Sequence, residues 1–193
     1  MASQQSLFAP EPVCLVQDAQ GGIRYLPEWI PAGLAQQWFA QALGNIGWME
    51  QQRMMYDREV AVPRLLATFA RGADNLPAPL AEAFEVVRAQ LDAPFNRVGL
   101  NLYRDGHDSV ALHGDKTGNL LPAQPIAIVS LGATRRMSIR PRAHAGRTVH
   151  VDLEAGSCLL MSYASQFTHE HGIPKVPEVN GARISLAFRC FAE

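Results

Sequence analysis

Hydrophobic and polar positions change period once along this chain. Over 31–43 the apolar residues Leu34, Trp38, Ala42 and Leu43 recur near the helical period. Pro31 suits a first helical turn, and Gly44 and Gly47 are expected to end it. A second helix is predicted over 77–91, with Leu80, Phe84, Val87 and Leu91 on one stripe and Glu82, Glu85 and Arg88 off it. From Asn96 onward the pattern shortens to runs at 98–103, 126–131, 136–140, 148–153, 157–163 and 183–188, punctuated by Gly, Pro and Asn. Short strands with no helices between them predict antiparallel sheets folded on each other, as in a sandwich or jelly roll. The expected class is therefore mainly β with flanking helices (α+β), with the two N-terminal helices packed on one sheet. Residues 1–22, with their Gln, Pro and Gly, read as a lead-in arm holding one short strand near 12–17.

Composition narrows this picture. A chain of 193 residues suits one domain, expected over 23–193, with helical support over about 31–92 and a β core over about 96–191. With 48% hydrophobic and 18% charged residues it is not a disordered chain. A formal net charge of −1 excludes a strongly basic coat for nucleic acid, though not a local basic face. Cys14, Cys158 and Cys190 form neither a CxxC pair nor a zinc framework, and Cys158 and Cys190 lie in apolar runs as buried thiols. A reducing cytoplasm fits. The opening residues MASQQSLFAPEPV lack a basic segment followed by an apolar one and are not expected to act as a secretory leader, and no apolar run nears the roughly 20 residues that cross a bilayer. A monomer with no membrane partner is expected.

Three residues carry the first chemical signal. His113-Gly114-Asp115 places an imidazole and a carboxylate two apart, on one side of an extended chain, and His171 follows far downstream. Two histidines and a carboxylate are the facial triad of non-haem Fe(II), which leaves three positions open for a co-substrate and O2. His169 competes: in His169-Glu170-His171 either imidazole could be the third ligand. The spacing is not HExxH, so the helical zinc-protease reading fails. Zinc held by two histidines and a carboxylate stays open. His107, His144 and His150 read as surface or structural residues.

Arg183 and Arg189 fall on one side of an extended strand, with the small Ser185 and Ala187 between them. Buried cations need anions, and a guanidinium grips a carboxylate through two parallel hydrogen bonds. A dicarboxylate would satisfy both; an ordinary ion pair is the plainer alternative. Asn101 and Tyr103 form another two-apart pair, an amide and a phenol able to donate to carboxylate oxygens.

Together these segments resemble the AlkB family of Fe(II)/2-oxoglutarate dioxygenases. The matching text is N-L-Y-R-D-G-H-D-S-V-A-L-H-G-D at 101–115, P-I-A-I-V-S-L-G-A-T-R at 125–135, L-E-A-G-S-C-L-L-M at 153–161, H-E-H-G-I-P-K at 169–175 and R-I-S-L-A-F-R at 183–189. Val62-Pro63-Arg64 matches a segment upstream. The resemblance covers about residues 46–191 and implies a double-stranded β-helix. It makes His113, Asp115 and His171 the iron ligands and moves His169 to the pocket wall. It makes Arg183, with Tyr103, the partner of the distal carboxylate of 2-oxoglutarate, and puts Arg189 and Asn101 nearer the keto-acid end. The implied cofactors are Fe(II), 2-oxoglutarate and O2. The implied reaction hydroxylates an N-alkyl group on a base of DNA or RNA, so that an aldehyde leaves with succinate and CO2.

The substrate side departs from the family. Many relatives carry an aromatic-rich hairpin after the Pro-Arg segment, which stacks on an extruded base. Here that stretch, L-L-A-T-F-A-R-G-A-D-N-L-P-A-P-L, offers only Phe69, with Trp48 and Tyr56 nearby and core positions the plainer reading for all three. Thr117 replaces an acidic residue and Ser185 an Asn. Arg135, Arg136, Arg140, Arg142 and Arg147 cluster around His144, on or beside a predicted hairpin, where they could meet phosphates. Arg64, Phe69, His169 and Arg135 are thus the substrate candidates. Two rival readings are kept: the same chemistry on a protein side chain or small metabolite, and a non-catalytic metal-binding β-helix protein.

Overall fold

The computed structural model describes residues 10–55, 58–143 and 146–192. The chain opens with β1 (Val13–Val16), β2 (Ile23–Leu26) and α1 (Ala32–Asn45), then β3 (Met49–Met55), β4 (Arg58–Ala70) and α2 (Ala78–Leu91). Next come β5 (Arg97–Tyr103), β6 (Val110–His113), β7 (Ile126–Gly132), β8 (Arg135–Pro141), β9 (Val149–Leu153) and β10 (Cys158–Met161). The short α3 (Ser165–Thr168), β11 (His169–Ile173) and β12 (Arg183–Arg189) complete it. The strands form an eight-stranded sheet, in the order β1-β2-β10-β7-β12-β5-β4-β3, and a four-stranded sheet, β6-β11-β8-β9. Every pairing between named strands is antiparallel. This is the expected β-rich architecture.

Two apolar layers hold it together. One lies between the helices and the larger sheet, where Trp38, Leu80, Phe84, Val87, Phe95, Ile184, Leu186 and Phe188 are buried. The Phe84 ring meets Phe188 edge-on at 5.1 Å, and the Trp38 indole N–H donates to Glu82 Oε2 at 2.7 Å, tying α1 to α2. The other layer lies between the sheets, around Tyr103, Ile128, Met137, Ile139 and Leu159. Strand alternation divides β12 between them: Ile184, Leu186 and Phe188 face the helices, while Arg183, Ser185, Ala187 and Arg189 face the smaller sheet.

Some expectations change. α1 runs on through Gly44 to Asn45, so that glycine does not end it. Leu43 is exposed, and Ala35 takes the buried place beside Trp38 and Ala42. The supposedly helical stretch 31–92 contains the hairpin of β3 and β4, which extends the larger sheet from β5. The helix-free half holds α3. The strand expected near 12–17 is β1, the edge partner of β2. Cys158 and Cys190 are buried thiols, as read from their apolar runs.

A candidate dioxygenase centre between the sheets

The site is assembled from two facing walls. From the larger sheet come Arg64 (β4), Asn101 and Tyr103 (β5), Ile128 (β7) and Arg183, Ser185, Ala187 and Arg189 (β12). Facing them are Val110 and His113 (β6), Met137 (β8) and His171 (β11). The cleft between them is narrow, about 50 Å³. Register explains the grouping: Arg183 pairs with Tyr103, Ser185 with Asn101, and His171 with His113.

The two histidines have ring centroids 4.6 Å apart. His113 Nδ1 lies 2.9 Å from the Ala111 carbonyl, which only accepts, so Nδ1 is the donor and Nε2 is the nitrogen left for a ligand. Burial pushes His171 down to about 4, against the nearby Asp115 carboxylate, so its ring is neutral at physiological pH. Asp115 follows the end of β6. Its Oδ1 accepts from Arg189 Nη2 at 2.6 Å, while its Oδ2 is buried with no hydrogen-bond partner. In this conformation no three His, Cys, Asp or Glu side chains among the described residues close to metal-ligand distances. Even so, an imidazole with Nε2 uncommitted, a neutral buried imidazole and an orphaned carboxylate oxygen suit a divalent transition metal.

A side chain would fit tightly at Gly114 and would clash with backbone at Gly172. A Cβ on Gly114 would lie 2.2 Å from Arg142 Nη2 and 3.0 Å from the Gln166 carbonyl oxygen. A Cβ on Gly172 would lie 2.8 Å from the Val110 carbonyl oxygen, blocking the approach of β11 to β6 beside His171.

Arg183 is 1% exposed. Its Nη2 donates to Ser130 Oγ at 2.9 Å, but Nε and Nη1 are buried without partners. Burial pulls it down to about 10, opposed by Tyr103, whose ring lies 5.3 Å from the guanidinium carbon. Burial also raises the Tyr103 phenol, against the surrounding guanidinium groups of Arg183, Arg64 and Arg135. Arg64 Nε donates to Asn101 Oδ1 at 2.8 Å, and Asn101 Nδ2 to Ser185 Oγ at 3.2 Å.

Other candidates sit elsewhere. Arg135, a substrate candidate by sequence, is 1% exposed, donates to the carbonyls of Asp105, Asp108 and Pro174, and does not line the cleft. Phe69 packs with the helical layer, on the far face of the sheet, so it does not stack over the cleft; Trp48 packs there too. His169 is half-buried, with Nδ1 2.9 Å from Thr168 Oγ1 and its carboxylate neighbour at Asp18, and it does not line the cleft. Much of the arginine cluster is paired: Arg136 with Asp152, and Arg140 and Arg142 with Glu170. Tyr56 and His144 lie outside the described residues. His150 is exposed beside Ser138, and His107 is exposed. Ser130 and Met137 were missed by sequence reading. The lone hydroxyl in the apolar run of β7 was the available signal for Ser130.

Two sheets with helices on one, histidines on one inner wall and an unpaired buried arginine on the other, define a class. The chain belongs to the 2OG-Fe(II) oxygenase superfamily, whose family model matches residues 68–189. Within it the chain is AlkB-like. It is 30% identical over 148 residues to human DNA oxidative demethylase ALKBH2, covering 67% of this chain and 57% of that protein. It is 35% identical over 103 residues to mouse alpha-ketoglutarate-dependent dioxygenase alkB homolog 3, covering 49% and 36%. The chain thus spans little more than half the length of the first relative. Among solved structures, OsALKBH1 superposes with a TM-score of 0.60 at 14% identity, covering 88% of this chain and 96% of that one. A Pseudomonas putida prolyl-4-hydroxylase gives 0.60 at 12%, covering 89% and 94%. These two likenesses carry the fold. The family description names the metal and co-substrate expected above, Fe(II) and 2-oxoglutarate. No helix among the described residues is long and apolar enough to cross a membrane.

Proposed function

We propose that this protein oxidatively removes alkyl groups from bases of DNA or RNA, using 2-oxoglutarate and O2. The observation that carries the reading is Arg183: a buried guanidinium with two unpartnered nitrogens, facing His113 and His171 across a cleft. A buried cation without an anion is costly, and a carboxylate of 2-oxoglutarate supplies one. His113, Asp115 and His171 would hold the iron. Bound Fe(II) supplies the redox chemistry that converts 2-oxoglutarate and O2 to succinate and CO2 while hydroxylating a C–H bond.

The protein's share is binding and placement. Arg183 takes the distal carboxylate with Tyr103 beside it, and Arg189 and Asn101 lie nearer the keto-acid end. Arg189 must divide its N–H groups between that end and Asp115. The apolar Val110, Ile128 and Met137 limit water at the reacting atoms. An N-methyl group hydroxylated there loses formaldehyde and leaves the bare ring nitrogen.

The substrate class rests on the relatives' names and on charge. Outside the smaller sheet a hollow of about 440 Å³ is lined by Arg140, Arg142, Thr148 and Glu170, where two guanidinium groups share one carboxylate. Arg142 also abuts Gly114, so this positive excess lies beside the proposed iron ligands and suits a phosphate. We further read 23–193 as one oxygenase domain, acting as a monomer in a reducing cytoplasm, to which the preceding segment adds β1. The test is a pair of assays. Succinate formation that needs both Fe(II) and O2 separates an enzyme from a binding protein. Formaldehyde from methylated oligonucleotides, and not from methylated peptides, supports the base substrate; the reverse pattern moves it to a protein side chain.

A further inference from the structure

We infer that Gln166 is a positioning residue for Asp115, and that it couples the proposed iron centre to the N-terminal turn at Asp18. The inference rests on the iron-site reading above. Gln166 lies in α3, one strand-length before His171, and is 3% exposed. Its Oε1 accepts from the Asp115 backbone N–H at 3.2 Å. Only the oxygen of the amide can accept, so this bond fixes which way the amide points. Nε2 is thereby turned inward, donating to Ser165 Oγ at 3.2 Å and toward the Ser162 carbonyl at 3.5 Å.

The hydrogen bonds continue without a break. Ser165 Oγ donates to the Ser162 carbonyl at 2.7 Å, and Ser165 N–H donates to Ser162 Oγ at 3.0 Å. Ser162 Oγ in turn donates to Asp18 Oδ2 at 2.5 Å. Asp18 Oδ1 receives the backbone N–H groups of Gln20 and Gly22, so the far end is anchored in the turn between β1 and β2. Ser162, Ser165 and Gln166 are all buried, which makes each member's loss costly to its neighbour.

Asp115 needs such support. It lies beyond the last paired residue of β6, where no ladder bond holds its backbone. Its carboxylate is already drawn to Arg189 at one oxygen and orphaned at the other. The Gln166 carbonyl also lies close to Gly114, leaving room there for little more than a hydrogen, so the residue that bonds Asp115 N–H through its side chain packs on the His-Gly-Asp turn as well. Groups behind the ligands commonly set metal affinity in this way.

The test uses the full chain and reads binding rather than turnover. Mn(II) is titrated with 2-oxoglutarate present, and the free ion is followed by electron paramagnetic resonance. Asp115→Ala should abolish binding; if it binds like the parent, the iron-site reading fails and this inference falls with it. Given that loss, Gln166→Met should weaken Mn(II) binding by about 10-fold or more. Ser165→Ala, which leaves Gln166 in place but loosens it, should fall between. Parent-like affinity in Gln166→Met overturns the inference and leaves the iron site standing. If Gln166→Met does not fold, Ser165→Ala decides, and parent-like affinity there overturns it. A spectroscopic arm excludes a merely structural effect: anaerobic Fe(II) with 2-oxoglutarate gives a visible charge-transfer band. Its energy should shift in the variant, whereas general loosening would lower only its intensity.

Discussion

Arg135 and Arg183 flank the same Tyr103 ring, at 5.5 and 5.3 Å, yet their other partners separate their roles. Arg135 donates through both terminal nitrogens to three backbone carbonyls, leaving only Nε without a partner, whereas Arg183, beside Ser130 and Tyr103, leaves both Nε and Nη1 without one. On the proposed reading the first is a structural clamp and the second receives the co-substrate carboxylate. Arg183→Ala should therefore weaken 2-oxoglutarate binding about 10- to 100-fold, since a charge-assisted bond is worth about 1.5–3 kcal/mol. Calorimetry with Mn(II) present would show it, and unchanged affinity would refute the role. Arg135→Ala should instead lower thermal stability, by about 2–4 kcal/mol, because it strands buried carbonyls. A thermal melt at the parent's temperature would overturn that assignment. His171→Ala should abolish succinate formation while His169→Ala retains it; the opposite result would move the third ligand.

At the level of elements, the helical layer and the β5–β6 loop hold the site in register. Phe188 on β12 is clasped edge-on by Phe84 of α2 and by Phe95, directly behind the arginine face. Phe84→Ala should cost about 3–5 kcal/mol by leaving a cavity there, read as a lower denaturation midpoint. In the loop, burial alone would raise the Asp108 carboxyl. The Arg104 side-chain and backbone N–H groups more than offset this and hold it below its ordinary value. Its stabilisation is thus present above the usual carboxylate range and lost as pH falls through the lower folded value. Asp108→Asn should be less stable than the parent at neutral pH, with the gap closing in acid. A constant gap would contradict this.

Elements with strong periodicity were legible in the chain, including both long helices and the strands β5, β7, β8, β9, β10 and β12. Those that escaped have physical reasons. β3 begins M-E-Q-Q-R, with no alternation, and β4 contains Pro63. β11 is H-E-H-G-I, where only Ile173 of the inward positions is hydrocarbon and His171 takes the central one, so no apolar alternation shows. α3 is too short to show a period. The same logic explains Phe69. Its chemistry suited stacking, but the parity of β4 against Val98 sends it to the helical side.

Across the whole molecule, side chains distant in sequence meet at one cleft between two sheets. Histidines come from the small sheet, guanidinium groups from the large one, and Asp115 from the chain between them. The two histidines and the arginine pair were visible as spaced residue types. That Arg189 would hold Asp115, and that Arg135 would turn to carbonyls, depended on tertiary packing that no local spacing encodes. The most direct measurement is a crystal structure of the protein grown anaerobically with Mn(II) and 2-oxoglutarate. The account predicts one anomalous peak ligated by His113, Asp115 and His171, with a carboxylate of the keto-diacid on Arg183. A metal on His169 or Glu170, or a diacid bound away from Arg183, would contradict it.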